Sequence, residues 1–535
     1  MQVEEFLERS VEQTPQKTAL VSGEYRWSYA DVEGLSNKLA HAMLEYGLQR
    51  GDRVMLFVPN CVETAVAVFG VLKAGGVFVL VNPTTKPEKL AYIMNNCRAR
   101  QLVTIGRLLP TALVAADSAP DLKAVLVFGL PIERSYPVPK QTCVVPLESV
   151  LPTQSREPCA RKNIDVDLAA LIYTSGSTGQ PKGVMMTHLN IVSAATSITT
   201  YLQNRPEDII LNVLPLSFDY GLYQLLMAFK TGATLVLEPS FAYPYAVIET
   251  LIREKVTGFA IVPTIASILL QLNLANFSFP QLRYITNTAA ALPVAHIRKL
   301  RQLFPHVTLY SMYGLTECKR VSYLPPDQID IRPNSVGRGM PNEEVYIVDD
   351  QGNRAPTGAV GELVVRGSNV MKGYWDLPEE TDKVLRPGPL PGERVLYTGD
   401  LFRADDEGFL YFVGRKDDII KTRGEKVSPR EVENVLHAHP NVAEAAVVGI
   451  PDVVLGNAIC AFVRLKTGTS SSEQQLLRFC ADHLEDFMVP AVVEICEALP
   501  KSENGKIDKR KLLAEATAAR AANHEQELVA QQQLA

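Results

Sequence analysis

The sequence is poor in cysteine and histidine, with eight of each among 535 residues. The cysteines form no C-x-x-C pair and are too widely spaced for the disulfide framework of a small secreted domain. The histidines form no H-E-x-x-H or comparable metal-binding pattern. These absences argue against a structural zinc site and a disulfide-stabilised scaffold, and they predict the reduced thiols of a cytoplasmic protein.

The chain also lacks an excess of basic residues. Lys and Arg number 53 against 59 Asp and Glu, which gives a formal net charge of −6. Proteins that bind nucleic acid usually cluster positive charge on one face, and no long Lys/Arg run is present here. The charge balance therefore predicts no nucleic-acid partner.

No uninterrupted apolar run is long enough to cross a membrane. The most apolar window, residues 64–81, contains Lys73 and the pair Gly75-Gly76. These residues predict a buried helix, a turn and a buried strand rather than a membrane span. The N-terminus also lacks the basic region and apolar stretch of a signal peptide. We therefore expect no membrane partner and a cytoplasmic location.

Helical patterns alternate with short β-branched runs over the first part of the chain. Residues 31–45 read as a helix and 53–58 as a strand, and the same alternation recurs at 245–255 and 258–262. Strands that alternate with helices predict parallel sheets covered by helices. The sequence therefore predicts a fold of the α/β class.

A charged stretch at residues 414–421 predicts a domain boundary. After it come a helix at 429–438, strands at 442–450 and 458–465, a helix at 472–484 and a strand at 492–494. We therefore predict an N-terminal domain over 1–416 and a small α+β domain over 417–512. Residues 513–535, rich in Ala, Gln and Glu, are predicted to be a disordered tail.

The clearest local motif is a glycine- and hydroxyl-rich run at residues 173–183, directly after an apolar strand at 168–173. Its glycines free the backbone to present N–H groups, and its hydroxyls and lysine add donors that a polyphosphate needs. A flexible linker would rarely follow a buried strand and end in Pro-Lys-Gly, and a Walker A loop cannot be aligned with these residues. The predicted phosphate-binding residues are Thr174, Ser175, Gly176, Ser177, Thr178, Gly179 and Lys182.

The run TSGSTGQPKGV resembles the signature of the adenylate-forming (AMP-binding) superfamily, which includes acyl-CoA synthetases, the adenylation domains of nonribosomal peptide synthetases and luciferases. Further matches follow in the family's order: YGLTE at 313–317, GEL at 361–363, YTGD at 397–400, GRKDD at 414–418 and PKSENGK at 500–506. The resemblance implies a large N-terminal domain of helix-covered β-sheets, a small mobile α+β C-terminal domain, and the use of ATP and Mg²⁺.

The resemblance also implies roles for individual residues. Glu317 would coordinate the Mg²⁺ that bridges the ATP phosphates, and a hard carboxylate suits that ion. Thr316 would contact phosphate and Tyr313 would pack on adenine. Asp400 would accept hydrogen bonds from the ribose hydroxyls, and Arg415 would contact ribose or phosphate.

Three residues near the C-terminus carry the implied catalytic step and the implied movement. Lys506 matches the family lysine that stabilises negative charge when a carboxylate attacks the α-phosphate. Asp417 matches the hinge about which the small domain rotates after adenylation. Gly424 matches the loop that then lines the path of an incoming thiol.

The acid pocket is the least decisive part of the sequence. Asp219 resembles the Asp that holds the substrate α-ammonium in amino-acid adenylation domains, and its alternative role is to cap the next helix. Tyr220, Tyr223, Ile285 and Met312 match further pocket positions and predict a short, mostly apolar cavity for a small amino acid. Arg320 departs from that apolar character.

The runs FDYGLYQLL and YGLTECKRVSYLPP resemble stand-alone enzymes that load L-proline onto the phosphopantetheine thiol of a peptidyl carrier protein. They also resemble some acyl-CoA ligases, in which coenzyme A is the acceptor. A third hypothesis, a non-catalytic nucleotide-binding protein, is weakened by the presence of both Glu317 and Lys506. The sequence thus predicts an AMP-forming ligase, with L-proline and a separate carrier protein as partners.

Overall fold

The computed structural model describes residues 1–129, 142–175, 180–416, 418–422, 425–452, 455–502 and 506–518. Several predicted site residues lie outside these ranges, namely Gly176, Ser177, Thr178, Gly179, Asp417 and Gly424. Over the described ranges the chain forms a large N-terminal α/β domain and a small C-terminal domain, as the sequence predicts.

The first sheet of the large domain has nine strands. In spatial order they are β16 (Arg338–Gly339), β15 (Ser322–Tyr323), β14 (Thr308–Tyr313), β13 (Tyr284–Asn287), β12 (Gly258–Ile261), β10 (Ile209–Asn212), β11 (Thr234–Leu237), β1 (Thr18–Ser22) and β2 (Tyr25–Ser28). The run from β14 to β1 is parallel, and the edges are antiparallel. The predicted strand at 258–262 is confirmed as β12.

The second sheet has eight strands. In spatial order they are β19 (Gly373–Tyr374), β9 (Pro181–Thr187), β8 (Leu168–Ser175), β4 (Val77–Leu80), β3 (Arg53–Phe57), β5 (Ala99–Ile105), β6 (Ala124–Phe128) and β7 (Cys143–Pro146). Strands β8 and β9 pair antiparallel, with Thr174 opposite Lys182, so the phosphate-loop motif connects two strands of one hairpin.

A third, antiparallel sheet joins the end of the large domain. It contains β17 (Glu343–Val348), β18 (Gly361–Gly367), β20 (Leu385–Pro387), β21 (Arg394–Ala404) and β22 (Leu410–Arg415). The alternation of helices and strands did not predict this sheet, because its strands follow one another with only a single short helix between them. It matters for the site, since β21 carries Asp400 and β22 carries Arg415.

Helices cover and separate the first two sheets. They are α1 (Glu5–Gln13), α2 (Tyr29–Glu45), α3 (Val62–Lys73), α4 (Pro87–Asn96), α5 (Leu109–Ala116), α6 (Leu147–Val150), α7 (His188–Leu202), α8 (Asp219–Thr231), α9 (Pro244–Arg253), α10 (Pro263–Leu269), α11 (Val294–Leu303) and α12 (Pro378–Val384). Helix α3 is apolar on all sides and is buried in the main core, as a helix without a polar face must be. The window at 64–81 thus forms the predicted helix, turn and strand. No helix in the described ranges is long and apolar enough to cross a membrane.

The C-terminal domain has its own apolar core. A two-stranded sheet, β23 (Ile420–Thr422) and β24 (Glu425–Val427), precedes a three-stranded sheet of β25 (Val442–Asp452), β26 (Gly456–Leu465) and β27 (Val492–Ile495), with α13 (Pro429–Ala438) and α14 (Glu473–Ala481) packed on it. All five predicted elements are present. Residues 509–518 are helical, so the helix continues into the segment predicted to be disordered, and 519–535 lie outside the described residues.

The two domains touch near the third sheet. The Arg430 guanidinium of α13 lies over the Phe412 ring of β22, 5.1 Å from its centroid. His437 of α13 faces His296 of α11 with ring centroids 6.4 Å apart. These contacts bring the C-terminal domain beside the strands that carry Asp400 and Arg415.

Candidate active site

The centre of the site is the carboxyl end of β14, where parallel sheets commonly place ligand-binding residues. Tyr313, the last residue of β14, donates its hydroxyl hydrogen to Asp400 Oδ2 at 2.5 Å. Its ring packs edge-on against Phe402, with centroids 4.9 Å apart. Tyr313 is only half-buried, so one part of the ring is held by the core and the rest stays accessible.

Asp400 is the buried acceptor of this group. It is 5% exposed, and the Nε of Arg415 lies 3.7 Å from its Oδ1, because the two residues are paired on β21 and β22. Burial raises the pKa of Asp400, and the positive charge of Arg415 opposes that rise. Oδ1 has no hydrogen-bond partner within the described part of the chain. An orphaned buried acceptor of this kind fits a ligand that brings hydroxyl donors.

Glu317 lies on the loop after β14, and hydrogen bonds hold both its side chain and its backbone. Its Oε1 accepts a hydrogen bond from the Tyr374 hydroxyl at 2.7 Å, and its backbone carbonyl accepts one from the Met371 N–H at 2.7 Å. Among the described ranges no group of three or more His, Cys, Asp or Glu could hold a metal ion. A single carboxylate still fits Mg²⁺, since that ion is commonly held by one or two carboxylates together with phosphates and water. Thr316 precedes Glu317 on this loop and is half-buried.

Lys182, the lysine of the phosphate-loop motif, forms an ion pair with Glu380 of α12, with Nζ 2.5 Å from Oε2. The hydrogen bond from Lys182 lowers the pKa of Glu380 to about 2. The same ammonium lies 5.4 Å from the centroid of the Tyr374 ring. Tyr374 therefore contacts both the phosphate-loop lysine and Glu317, although nothing in the sequence marked it.

Lys506 enters the same region from the C-terminal domain. Its backbone carbonyl accepts from the Ser502 N–H at 2.7 Å, and the flanking Lys501 and Lys509 pair with Glu444 and Glu433 at 2.8 and 2.5 Å. Lys506 is exposed to water in the cleft, yet the protein around it lowers the pKa of its ammonium by desolvation.

The charges that act on Lys506 identify its neighbours. The carboxylates of Asp219, Asp400 and Glu317 raise its pKa, and the Arg415 guanidinium lowers it. Residues that the sequence assigned to the acid pocket, the ribose and the metal therefore lie within electrostatic range of Lys506.

The predicted acid pocket is built on the start of α8. Asp219 is the first helical residue and is 9% exposed, whereas the N-cap residue is Phe218, so the capping alternative for Asp219 is wrong. Tyr220 and Tyr223 follow on the first turns and are each 1% exposed. The Tyr220 hydroxyl donates to the Thr286 carbonyl at 2.8 Å, which ties α8 to β13.

The other two predicted pocket residues lie on neighbouring parallel strands. Ile285 is on β13 and Met312 is on β14, and both are buried. Met312 Sδ accepts a hydrogen bond from the Tyr201 hydroxyl at 3.0 Å. The Tyr220 hydroxyl also lies 2.6 Å from Thr286 Oγ1, so α8 and β13 form one wall, whereas the side chain of Ile285, next to Thr286 on the strand, points to the opposite face of the sheet.

Two cationic side chains lie beside this wall, so the pocket differs from the mostly apolar cavity that the sequence predicts. Arg320 Cζ lies 4.6 Å from the Tyr220 ring centroid, and Lys319 Nζ lies 6.0 Å from that of Tyr223. Arg320 was visible in the sequence as a departure from an apolar pocket. Lys319 gave no signal, because a lysine in a loop is ordinarily solvent-exposed.

Comparisons with known proteins agree with this geometry. The family model "AMP-binding enzyme" matches residues 7–375, and "AMP-binding enzyme C-terminal domain" matches 431–506. A long-chain-fatty-acid–CoA ligase of Bacillus subtilis is 32% identical, over 96% of this chain and 94% of its own. Tyrocidine synthase 2 of Brevibacillus parabrevis is 30% identical over 95% of this chain but only 13% of its own.

Solved structures show the same fold along the whole chain. The anthranilate CoA ligase AuaEII in complex with anthranoyl-AMP superposes with a TM-score of 0.88 at 29% identity, covering 97% of this chain and 98% of the other. With both family models matched in order, the chain belongs to the AMP-binding enzyme family and is an adenylate-forming ligase.

Proposed function

We propose that this protein joins a carboxylic acid to a thiol in two steps that use ATP. In the first, the acid oxygen attacks the α-phosphorus of ATP, which forms the acyl-adenylate and releases pyrophosphate. In the second, the thiol sulfur attacks the acyl carbon, which forms the thioester and releases AMP. The observation that carries the proposal is the buried Asp400 carboxylate, which Tyr313 and Arg415 hold with Oδ1 left unpartnered, within electrostatic range of Lys506.

Lys506 would stabilise the charge that builds up on the attacking and leaving oxygens at phosphorus. An ammonium already placed in a partly desolvated cleft acts more strongly than one in bulk water, because fewer water dipoles screen it. Removing such a preorganised donor typically costs about 100- to 1000-fold in rate. Lys506 therefore acts on the adenylation step rather than on nucleotide affinity.

The remaining residues would bind the nucleotide. The unpartnered Oδ1 of Asp400 would accept from the ribose hydroxyls, and the accessible part of the Tyr313 ring would pack on the adenine. Thr174, Thr316, Lys182 and Arg415 would donate to the phosphates. Glu317 would hold Mg²⁺, which neutralises phosphate charge when bound.

For the acceptor, coenzyme A is the better supported choice. The Bacillus subtilis relative is a CoA ligase matched over 94% of its length, and the structural neighbour is also a CoA ligase. Two buried cations beside Asp219 also disfavour a substrate that brings an ammonium of its own.

The second candidate is the transfer of L-proline to the phosphopantetheine thiol of a peptidyl carrier protein. Asp219 favours it, since this buried carboxylate does not cap α8 and stands where an α-ammonium could be held. In either case we propose that the small domain turns about Asp417 between the two steps and that Gly424 then lines the path of the thiol.

An ATP–pyrophosphate exchange panel of aliphatic, aryl and amino acids tests the proposal. We expect exchange with at least one class of carboxylic acid. Adding coenzyme A or a pantetheinylated carrier protein to the active acid then identifies the acceptor by release of AMP. Exchange with L-proline alone would favour the carrier-protein candidate, and no exchange with any acid would overturn the proposal.

A further inference from the structure

The loop from Gly314 to Arg320 is held in one shape by short contacts. A Cβ on Gly314 would lie 2.1 Å from the Lys319 carbonyl oxygen, so only glycine permits this approach. Lys319 has a φ of +70°, a left-handed conformation that is unusual for lysine. The buried Asn369 amide donates to the carbonyls of Cys318 at 2.9 Å and Arg320 at 3.2 Å. The direction of the two basic side chains is therefore fixed by the backbone.

Both side chains of this basic pair enter the protein interior. Lys319 is 2% exposed and Arg320 is 4% exposed. Neither Lys319 Nζ nor Arg320 Nε has a hydrogen-bond partner in the part of the chain that the structure describes. Buried Lys and Arg are almost always paired with acceptors, because an unpaired buried charge is costly. A buried Lys319 Nζ and a buried Arg320 Nε that both lack a partner at one wall indicate that an acceptor is to be supplied from outside the chain.

The wall that the basic pair reaches is the wall of the acid pocket. The Arg320 guanidinium lies over Tyr220 and the Lys319 ammonium faces Tyr223, both on the first turns of α8. The aromatic faces favour cations but offer them no acceptor atoms. The Tyr220 hydroxyl is already engaged by Thr286, and the Tyr223 hydroxyl has no partner among the described residues.

The nearby carboxylates provide no direct acceptor for the basic pair. Glu317 is engaged by the Tyr374 hydroxyl, and Asp219 makes no hydrogen bond to Lys319 Nζ or Arg320 Nε. Lys319 Nζ and Arg320 Nε thus lack an acceptor among the residues that the structure describes.

We propose that the substrate acid carries a second carboxylate, which Lys319 and Arg320 bind while the first carboxylate reacts at the α-phosphate. The inference rests on the proposed acid adenylation and narrows it to small dicarboxylic acids. The second carboxylate supplies the missing acceptors. A site built around buried polar groups also rejects the analogue that lacks their partner, since those groups are then left unpaired.

Pairs of acids that differ only in the second carboxylate test this inference on the full-length protein. ATP–pyrophosphate exchange is measured with glutarate against pentanoate, adipate against hexanoate, and isophthalate against benzoate, with L-proline included. We expect kcat/KM for the preferred dicarboxylate to exceed that of its matched monocarboxylate by about 100-fold or more. In Arg320→Met this ratio should fall about 10- to 100-fold, which corresponds to one lost charged hydrogen-bond partner.

Lys319→Gly is the second variant, and the left-handed φ at this position suits glycine, so the loop keeps its path. It should reduce the same ratio, whereas Lys372→Met, at an exposed lysine, should leave the ratio unchanged.

If monocarboxylates or L-proline react as well as dicarboxylates, the inference is wrong and the proposed function stands. If the Arg320 and Lys319 variants leave the ratio unchanged, the inference is also wrong. If no acid supports exchange, both fail.

Discussion

The hydroxyl of Tyr313 lies 2.5 Å from Oδ2 of Asp400 and orients that carboxylate across the boundary between two sheets. Tyr313 ends a parallel strand of the first sheet, and Asp400 lies in the antiparallel third sheet. One oxygen of the buried carboxylate is thereby satisfied and the other is left as an acceptor. The pair thus prepares a site for a hydroxyl-bearing ligand before that ligand arrives.

Replacing this acceptor should weaken nucleotide binding. In Asp400→Asn we expect about a 10- to 100-fold loss of affinity for ATP, because a hydrogen bond to a charged group contributes about 1.5–3 kcal/mol. Isothermal titration calorimetry with ATP and with its 2′- and 3′-deoxy analogues measures the effect. The deoxy analogues should lose less affinity in the variant than ATP does. Asp406→Asn, at an exposed position of the same hairpin, is the control. Equal losses of affinity for ATP and for both analogues in Asp400→Asn would contradict the ribose role.

Removing the Lys506 ammonium should affect chemistry and spare binding. In Lys506→Ala we expect pyrophosphate release to fall about 100- to 1000-fold, while ATP affinity changes little. Stopped-flow pyrophosphate release and equilibrium ATP binding separate the two quantities. Lys511→Ala removes a lysine that is 62% exposed in the same domain and should be neutral. Unchanged pyrophosphate release in Lys506→Ala would refute the catalytic role.

The pH dependence of adenylation should report the protonation of Lys506. Desolvation lowers its pKa, and the Asp219 carboxylate partly restores it. The rate is expected to fall on the alkaline side at a lower pH than an ordinary lysine would give, because the amine loses its proton earlier. Asp219→Asn removes the restoring charge and should move this alkaline limb to still lower pH.

The measurement for this prediction is kcat at a saturating concentration of the carboxylic acid substrate. Any change that Asp219→Asn causes in the affinity for that substrate then appears in KM instead. Lys506→Arg should remove the alkaline limb, because guanidinium stays protonated throughout. Glu249→Gln, an exposed change on α9, serves as the control for general charge effects. If the alkaline limb moved to higher pH in Asp219→Asn, the assigned effect of Asp219 on the pKa of Lys506 would be wrong.

The ion pair between Lys182 and Glu380 predicts competition with the nucleotide. The two groups lie 2.5 Å apart, so Glu380 occupies the ammonium that phosphate would use. In Glu380→Gln we expect a KM for ATP that is lower by no more than about five-fold, since partly exposed ion pairs are weak. In Lys182→Met the KM should rise about ten-fold or more. Steady-state exchange kinetics check both, and a raised KM in both variants would indicate that Glu380 positions Lys182 instead.

Much of the fold and of the candidate site followed from the sequence. The apolar window at 64–81 predicted α3 and β4, and the helix and strand order predicted the parallel sheets and all five elements of the small domain. These predictions succeed because periodicity and turn residues act locally. The alternation of helices and strands did not predict the antiparallel third sheet, because most of its strands pair with the next strand along the chain, as in β17 with β18 and β21 with β22.

The candidate site also contains features that the sequence predicted and features that only the structure shows. Resemblance to the family's continuous motifs marked Glu317, Asp400 and Lys506, which was possible because each motif is a short run of the sequence. The Tyr374 bridge between Lys182 and Glu317 and the burial of Lys319 beside Tyr223 depended on packing of segments far apart in the chain. Sequence alone determined that this protein is an adenylate-forming ligase. Only tertiary structure decided which charges surround the acid pocket, because burial and charge balance are properties of the assembled pocket.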